Sequence, residues 1–258
     1  MAQSIVFDRA ATFYDETRGF PAGIDQDAVM TIVRAGQLSE ASHVLEFGVG
    51  TGRIALPLAN HVGEIYGIDL SIPMLLRLQE KQNNEPVYVV QGNAAHLPYV
   101  DHTFDTALGV HILHLIPNWQ DVITELIRVL KPHATFIQCY SKSDDAFKNL
   151  WAAWRSAVPD QEAKEVGLAS DINDVTLQSL GWRVGEAQTF DYSYGRSPAL
   201  FIQQLENRVW SRTWRLSDES LAAGVAAVKK VVAQDFADAE ALVTVHEQFF
   251  AIPYYPPQ

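Results

Sequence analysis

The stretch Val44-Leu45-Glu46-Phe47-Gly48-Val49-Gly50-Thr51-Gly52-Arg53 decides the fold. Its first four residues form a short, mainly apolar run bounded by turn formers, which predicts a buried strand. Glycine then stands at every second position, and a helix is expected to begin near Thr51. Glycines in such a turn let the backbone take positive φ and approach a ligand, while a helix start offers unpaired N–H groups. The turn is therefore suited to a nucleotide-like ligand.

The spacing narrows the ligand. A dinucleotide-binding fingerprint, Gly-x-Gly-x-x-Gly, needs its third glycine where this chain has Arg53. Glu46, two residues before the first glycine, would repel a pyrophosphate and favour a cationic or amino-bearing ligand. Asp69 lies 17 residues after Gly52, at the end of the next predicted strand. A carboxylate there can accept hydrogen bonds from two ribose hydroxyls.

Outward from the turn, short apolar runs alternate with helical patterns. Strands are expected at Val44–Phe47, Ile65–Asp69, Val87–Val90, Phe104–Val110 and Thr135–Tyr140, which predicts a doubly wound parallel α/β sheet. Asp25–Gly36 reads as a helix before the first strand. Ser71 caps a helix with Pro73 in its first turn and Met74, Leu75 and Leu78 facing inward. Trp119, Val122, Ile123, Leu126, Ile127 and Leu130 keep a 3.6-residue period, with Asn118 as the expected N-cap. Residues 144–180 look helical and interrupted, Trp182–Tyr194 alternates like a strand, and Leu242–Ile252 supplies a seventh strand. Pro198–Trp210 and Leu221 to Val232 read as added helices. The expected organisation is one domain over 1–258: a helical arm or lid (1–36), a ligand-binding core (37–140), and a second half (141–258) whose helical cap covers about 144–180 and 195–238.

Composition sets outer bounds. The chain has 258 residues, 48% of them apolar, and 19 basic against 31 acidic side chains give a formal charge of −12. That balance disfavours nucleic acid and anionic membrane surfaces as partners and leaves small neutral or cationic ligands unpenalised. The lone cysteine, Cys139, permits no intrachain disulfide. No leader-like or membrane-spanning apolar run is present, so a cytoplasmic address is expected.

An ordered set of motifs now carries a family resemblance. Glu46-x-Gly48-x-Gly50-x-Gly52, Ile68-Asp69, Gly92-Asn93-Ala94 with Leu97-Pro98, Phe104-Asp105 and Arg128-Val129-Leu130-Lys131-Pro132 together resemble a class I S-adenosylmethionine-dependent methyltransferase of the small-molecule, type 11-like kind. The resemblance covers roughly residues 10–140, and the remainder only in topology. It implies a Rossmann-like sheet of seven strands with the last antiparallel, and S-adenosylmethionine as cofactor. It also implies that Gly48, Gly50 and Gly52 lie against the methionine part and ribose, with Asp69 on the ribose hydroxyls. Leu70 and Met74 would lie near the adenine, Asn93 and Ala94 along its edge, and Val110 beneath the sulfonium. Tyr14-Asp15-x-x-Arg18 resembles the arm that folds over the cofactor, with Tyr14 and Arg18 on its carboxylate. The chain departs from the family at Lys131-Pro132-His133-Ala134, where Gly-Gly usually follows the proline. Pro57, inside the helix after the turn, calls for a kink or a late start.

Methyl transfer from a sulfonium is an in-line displacement, so alignment and water exclusion matter most. An acceptor that sheds a proton needs a receiver, and His111 and His114 follow the fourth strand, where ligands collect. Both can equally serve local backbone groups, and as a metal pair they lack further ligands, so no metal is expected. Trp151, Trp154, Tyr192, Tyr194, Trp210 and Trp214 read individually as core and collectively as able to border an acceptor pocket. Asp105 is expected to orient a turn and Cys139 to pack. The rivals are a protein that binds S-adenosylmethionine without turnover and a nicotinamide-dependent oxidoreductase, which Arg53 disfavours.

Overall fold

Val44, Leu45 and Phe47 are fully buried, so the strand holding them has no solvent face and must pair on both sides. In this computed structural model, which describes residues 4–21, 23–144, 146–164, 166–169 and 173–257, it does so. The elements are α1 (Tyr14–Arg18), α2 (Asp25–Gly36), β1 (His43–Phe47), α3 (Ala55–Leu58), β2 (Glu64–Asp69), α4 (Ile72–Lys81), β3 (Val87–Gln91), β4 (Phe104–Val110), α5 (Trp119–Val129) and β5 (Leu130–Asp144). There follow α6 (Lys148–Ala157), α7 (Asp160–Ala163), α8 (Asn173–Ser179), β6 (Arg183–Val184), β7 (Gln188–Arg196), α9 (Pro198–Glu206), α10 (Asp218–Asp235) and β8 (Val243–Tyr255). The sheet runs β3-β2-β1-β4-β5-β8-β6, with β7 pairing to β8 off this path. β1 is parallel to β2 and β4, β2 to β3, and β4 to β5, while β8 is antiparallel to β6.

The strand predicted at Trp182–Tyr194 is two strands, so the sheet has eight strands rather than seven. Gly185 N–H donates to Pro253 O at 2.8 Å, and Pro253 has no N–H to return, so the β6–β8 ladder stops there. Two local expectations also change. Asn118 does not cap α5 through its side chain; its Nδ2 donates to Asp121 Oδ2 at 3.0 Å. The helix expected from Thr51 is a single turn beginning at Ala55, because Pro57 lacks the N–H that would bond back to Arg53 and Gly52 holds φ +73°.

The chain divides into two compact units: Met1–Ser141 with Val166–Phe190 and Phe249–Gln258, and Lys142–Glu165 with Asp191–Gln248. The first is built on a core that includes Phe47, Phe104, Leu126, Phe136, Trp182 and Tyr254. In the second, Trp154, Phe201, Trp210, Val228 and Val245 form a separate core. There Gly224 lets α10 lie on α6, since a Cβ would fall 2.7 Å from Trp154 Cδ1. The aromatics singled out in the second half thus pack: Trp151 lies edge-on to Trp154 and Phe201, and Trp214 Nε1 donates to Arg208 O. Part of the predicted helical stretch 144–180, including Asp145, lies outside the described residues. Among the described residues no helix is long and apolar enough to cross a membrane.

Arg128 explains the Arg-x-x-Lys-Pro end of α5. Its guanidinium donates to the carbonyls of Leu97 (3.0 Å) and Tyr99 (2.6 Å) and to Asp101 and Glu125, while Glu125 Oε2 accepts from Leu97 N–H. One side chain therefore fixes the whole segment after Asn93. The departure at His133 falls in a local bulge, where β5 spends Leu130 to Thr135 opposite Phe104 to Thr106, and His133 takes φ +67° in place of a glycine. Replacing Arg128→Lys keeps the charge and loses the planar fork; urea denaturation should read a loss of about 1–3 kcal/mol, and an unchanged midpoint would refute the hub role.

Candidate functional site

The carboxyl ends of β1, β2 and β4 converge on the glycine turn. Gly48, Gly50 and Gly52 all have positive φ, at +71°, +55° and +73°. At Gly50 the requirement is for space as well: a Cβ would lie 3.3 Å from Met74 Cε, so a side chain would meet the residue expected near an adenine. The turn is held from the next strand. Asp69 Oδ2 accepts from Gly50 N–H at 2.9 Å and its Oδ1 from Ser71 N–H at 2.9 Å, so one carboxylate ties the turn to the start of α4. Burial nonetheless raises the Asp69 carboxyl above its usual range, against the backbone bonds from Ser71, Gly50 and Leu70.

Glu46 lies on β1 opposite Gly67 of β2 and Leu108 of β4. It is 2% exposed, and its Oε2 is buried with no hydrogen-bond partner among the described residues. Burial pushes its carboxyl up to about 8, Arg53 pulling the other way and Asp69 adding to the rise. A buried acid left without a donor is costly, and a ligand donor placed there relieves the cost.

His111 follows β4 in the left-handed region, φ +50°, its N–H donating to Cys139 O at 2.9 Å. Burial first, then the charges of Arg53, His114 and Arg18, push its imidazole down to about 3. It is thus neutral throughout the ordinary pH range. His114 sits in the 3-10 turn Leu113–Leu115. Cys139 is buried and its thiol raised by desolvation, which fits packing rather than nucleophilic work.

Of the other predicted residues, Met74 is 2% and Ala94 8% exposed, and Leu70, Asn93 and Val110 are half-buried. Asn93 Oδ1 accepts from Ala95 N–H, so this side chain shapes its own turn. Asp105 accepts from His43 N–H and pairs with Lys131 at 2.8 Å, the orienting role expected of it. Among the described residues no group of three or more His, Cys, Asp or Glu is placed to hold a metal ion.

Sequence reasoning missed how the arm is fastened. Thr51 Oγ1 donates to Asp15 Oδ1, and Lys81 Nζ pairs with Asp15 Oδ2 at 2.7 Å. Arg53 Nη1 donates to Arg18 O at 2.6 Å, and its guanidinium lies 4.6 Å from the Phe20 ring centroid. Phe20 in turn packs edge-on to Phe249. Tyr14 instead meets Phe7, ring edge to face at 5.8 Å. The arm residues that grip the turn are therefore Asp15, Arg18 through its carbonyl, and Phe20. A carboxylate paired with a lysine 66 residues away in another helix leaves no spacing signal.

The methyltransferase domain family matches residues 45–138. A demethylmenaquinone methyltransferase of Lactiplantibacillus plantarum is 36% identical over 123 residues, 44% of this chain and 52% of that protein. A phosphatidylethanolamine N-methyltransferase of Cereibacter sphaeroides is 38% identical over 97 residues, 36% of this chain and 47% of that protein. The chain thus spans about half the length of these curated relatives. Among solved structures, a putative type II methyltransferase from Anaeromyxobacter dehalogenans superposes with a TM-score of 0.62 at 15% identity, over 89% of this chain and 97% of that one. The matched segment runs from β1 to β5 and contains the glycine turn, Glu46 and Asp69. Residues 45–138 thus match a methyltransferase domain, and the chain shares its fold with solved methyltransferases.

Proposed function

We propose that this protein binds S-adenosylmethionine in the crevice above β1, β2 and β4 and transfers its methyl group to a small-molecule acceptor. The observation that carries the reading is the pair of acids on adjacent strands around a left-handed glycine turn: Asp69, both oxygens engaged with backbone N–H groups, and Glu46, with a buried oxygen lacking a donor. These residues fit the cofactor. Glu46 offers an unmatched acceptor to its ammonium, Met74 beside Gly50 offers an apolar contact to its purine, and Asp69 keeps lone pairs for ribose hydroxyls. When bound, the cofactor supplies an electrophilic methyl on a sulfonium. A pyrophosphate-bearing dinucleotide is disfavoured, because Arg53 fills the third-glycine position and is committed to Arg18 O and Phe20.

The chain's own contribution is alignment and exclusion of water. Asp69 fixes Gly50 and thereby the floor of the crevice. Tyr14 and Arg18 stand on the arm as ligands for the cofactor's carboxylate, with Leu70, Asn93 and Ala94 around the adenine and Val110 below the reacting centre. Thr51, Lys81 and Arg53 hold the arm down. His111 and His114, after β4, face the acceptor side, where a neutral imidazole accepts a hydrogen bond from the attacking group. Relatives named for demethylmenaquinone and phosphatidylethanolamine support methyl transfer as the reaction. The acidic charge of −12 favours a small neutral or cationic acceptor over nucleic acid.

Three outcomes check the reading. Asp69→Ala should weaken S-adenosylmethionine binding by about 1–3 kcal/mol in calorimetry, and full affinity would remove Asp69 from the site. Asp15→Ala should speed release of S-adenosylhomocysteine about fivefold in stopped flow; an unaltered off-rate would dismiss the arm as a cover. His111→Ala should lower turnover about 100-fold without removing any inflection between about pH 5 and 8, because the half-buried imidazole is already neutral there. An inflection near 6.5 that disappears in this variant would give His111 ordinary basicity and reject its neutral state.

A further inference from the structure

We propose that Glu46 is a neutral acid in the ligand-free protein and that seating an ammonium-bearing ligand against it expels one proton to solvent. The inference rests on the cofactor reading above and extends it to a linkage between binding and pH. Its basis is geometric. Glu46 is 2% exposed in the middle of a sheet, flanked by Gly67 and Leu108, and its Oε2 has no protein donor among the described residues. An ionised oxygen so placed would bear the full cost of desolvation, and the protonated form escapes it.

Arg53, from the turn, favours ionisation; Asp69, from β2, opposes it; Cys139, from β5, is itself held as a thiol by burial and by Glu46. His111, after β4, is neutral and shares Arg53. Among the described residues the cation acting on Glu46 is Arg53, and it is engaged with Arg18 O and the Phe20 ring. An arriving ammonium supplies both the missing donor and a second positive charge. In the balance of the step, the Glu46 O–H bond breaks, its proton goes to buffer, and the carboxylate accepts an N–H from the ligand.

The sign follows. With the carboxyl pushed up to about 8 in the free protein and drawn down in the complex, binding releases a proton between those two values. Affinity therefore rises with pH, up to about tenfold per unit, and levels off above about pH 8. In the free protein the same group costs stability as pH rises through about 8, and the ligand removes that cost.

The test is calorimetry of S-adenosylhomocysteine binding at about pH 6.5 in two buffers of different ionisation enthalpy, which counts protons directly. The wild-type protein should release about one proton, Glu46→Gln should release none, and the wild-type protein binding 5′-methylthioadenosine, which has no ammonium, should also release none. Equal heats in both buffers for the wild-type protein would overturn the proposal, as would a Glu46→Gln protein that still releases a proton. The methylthioadenosine arm decides the matter even if that variant does not fold: proton release with this compound would also overturn it. Absence of any S-adenosylhomocysteine binding would instead sink the cofactor reading itself.

Discussion

Two hydrogen bonds from one carboxylate organise the site. Asp69 ends β2 and accepts Gly50 N–H on one oxygen and Ser71 N–H on the other, each at 2.9 Å. The first bond sets the left-handed turn after β1; the second positions Ser71, whose Oγ accepts Met74 N–H and starts α4. Met74 and Leu78 then lie against Gly50 and Gly52. Turn, helix and crevice floor are consequently one unit, and a displaced Asp69 would release all three. This is why an acid at the end of the second strand matters before any ligand arrives. It shapes the place where a ribose would sit.

The centre of the sheet was legible because β1 and β4 are buried on both faces and read as continuous apolar runs. Phe104–Val110 and Asp25–Gly36 match their expected bounds, and Ser71 caps α4 as its spacing predicts. What the pattern could not carry lies in long-range pairings. Nothing in the local sequence tells that Pro253 would interrupt a ladder begun at Arg183, whereas Pro57 did announce the late helix start seen at Ala55. Asn118 has the chemistry of a cap and its side chain is drawn to Asp121 instead. At the site, Asp69 and Met74 both lie beside Gly50, two neighbours that the resemblance, and not local spacing, set near one ligand. The ties of Asp15 to Thr51 and Lys81, 36 and 66 residues away, belong to tertiary structure alone.

Those ties also explain Arg53. In a dinucleotide site the equivalent position needs glycine so that helix and strand approach closely. Here the side chain leaves the turn, reaches Arg18 O and covers Phe20. Phe20 and Phe190 both pack against Phe249. The substitution that argues against a dinucleotide is therefore the residue that fastens the arm, and one feature accounts for both.

Burial drives Glu46 and His111 in opposite directions on the pH scale and to the same electrostatic end. The carboxyl rises to about 8 and the imidazole falls to about 3, so each is uncharged near neutrality. Arg53 acts on both, lowering each value, yet desolvation is the larger influence in each case. For His111 the two effects add, which makes its neutrality robust to any change at Arg53. For Glu46 they oppose, so its charge state is the one within reach of another cation. A single added positive group near β1 tips the balance that Arg53 alone does not, whereas none could make His111 a cation. The crevice thus has one member poised to change charge and one fixed, and the poised one lies on the strand that leads into the glycine turn.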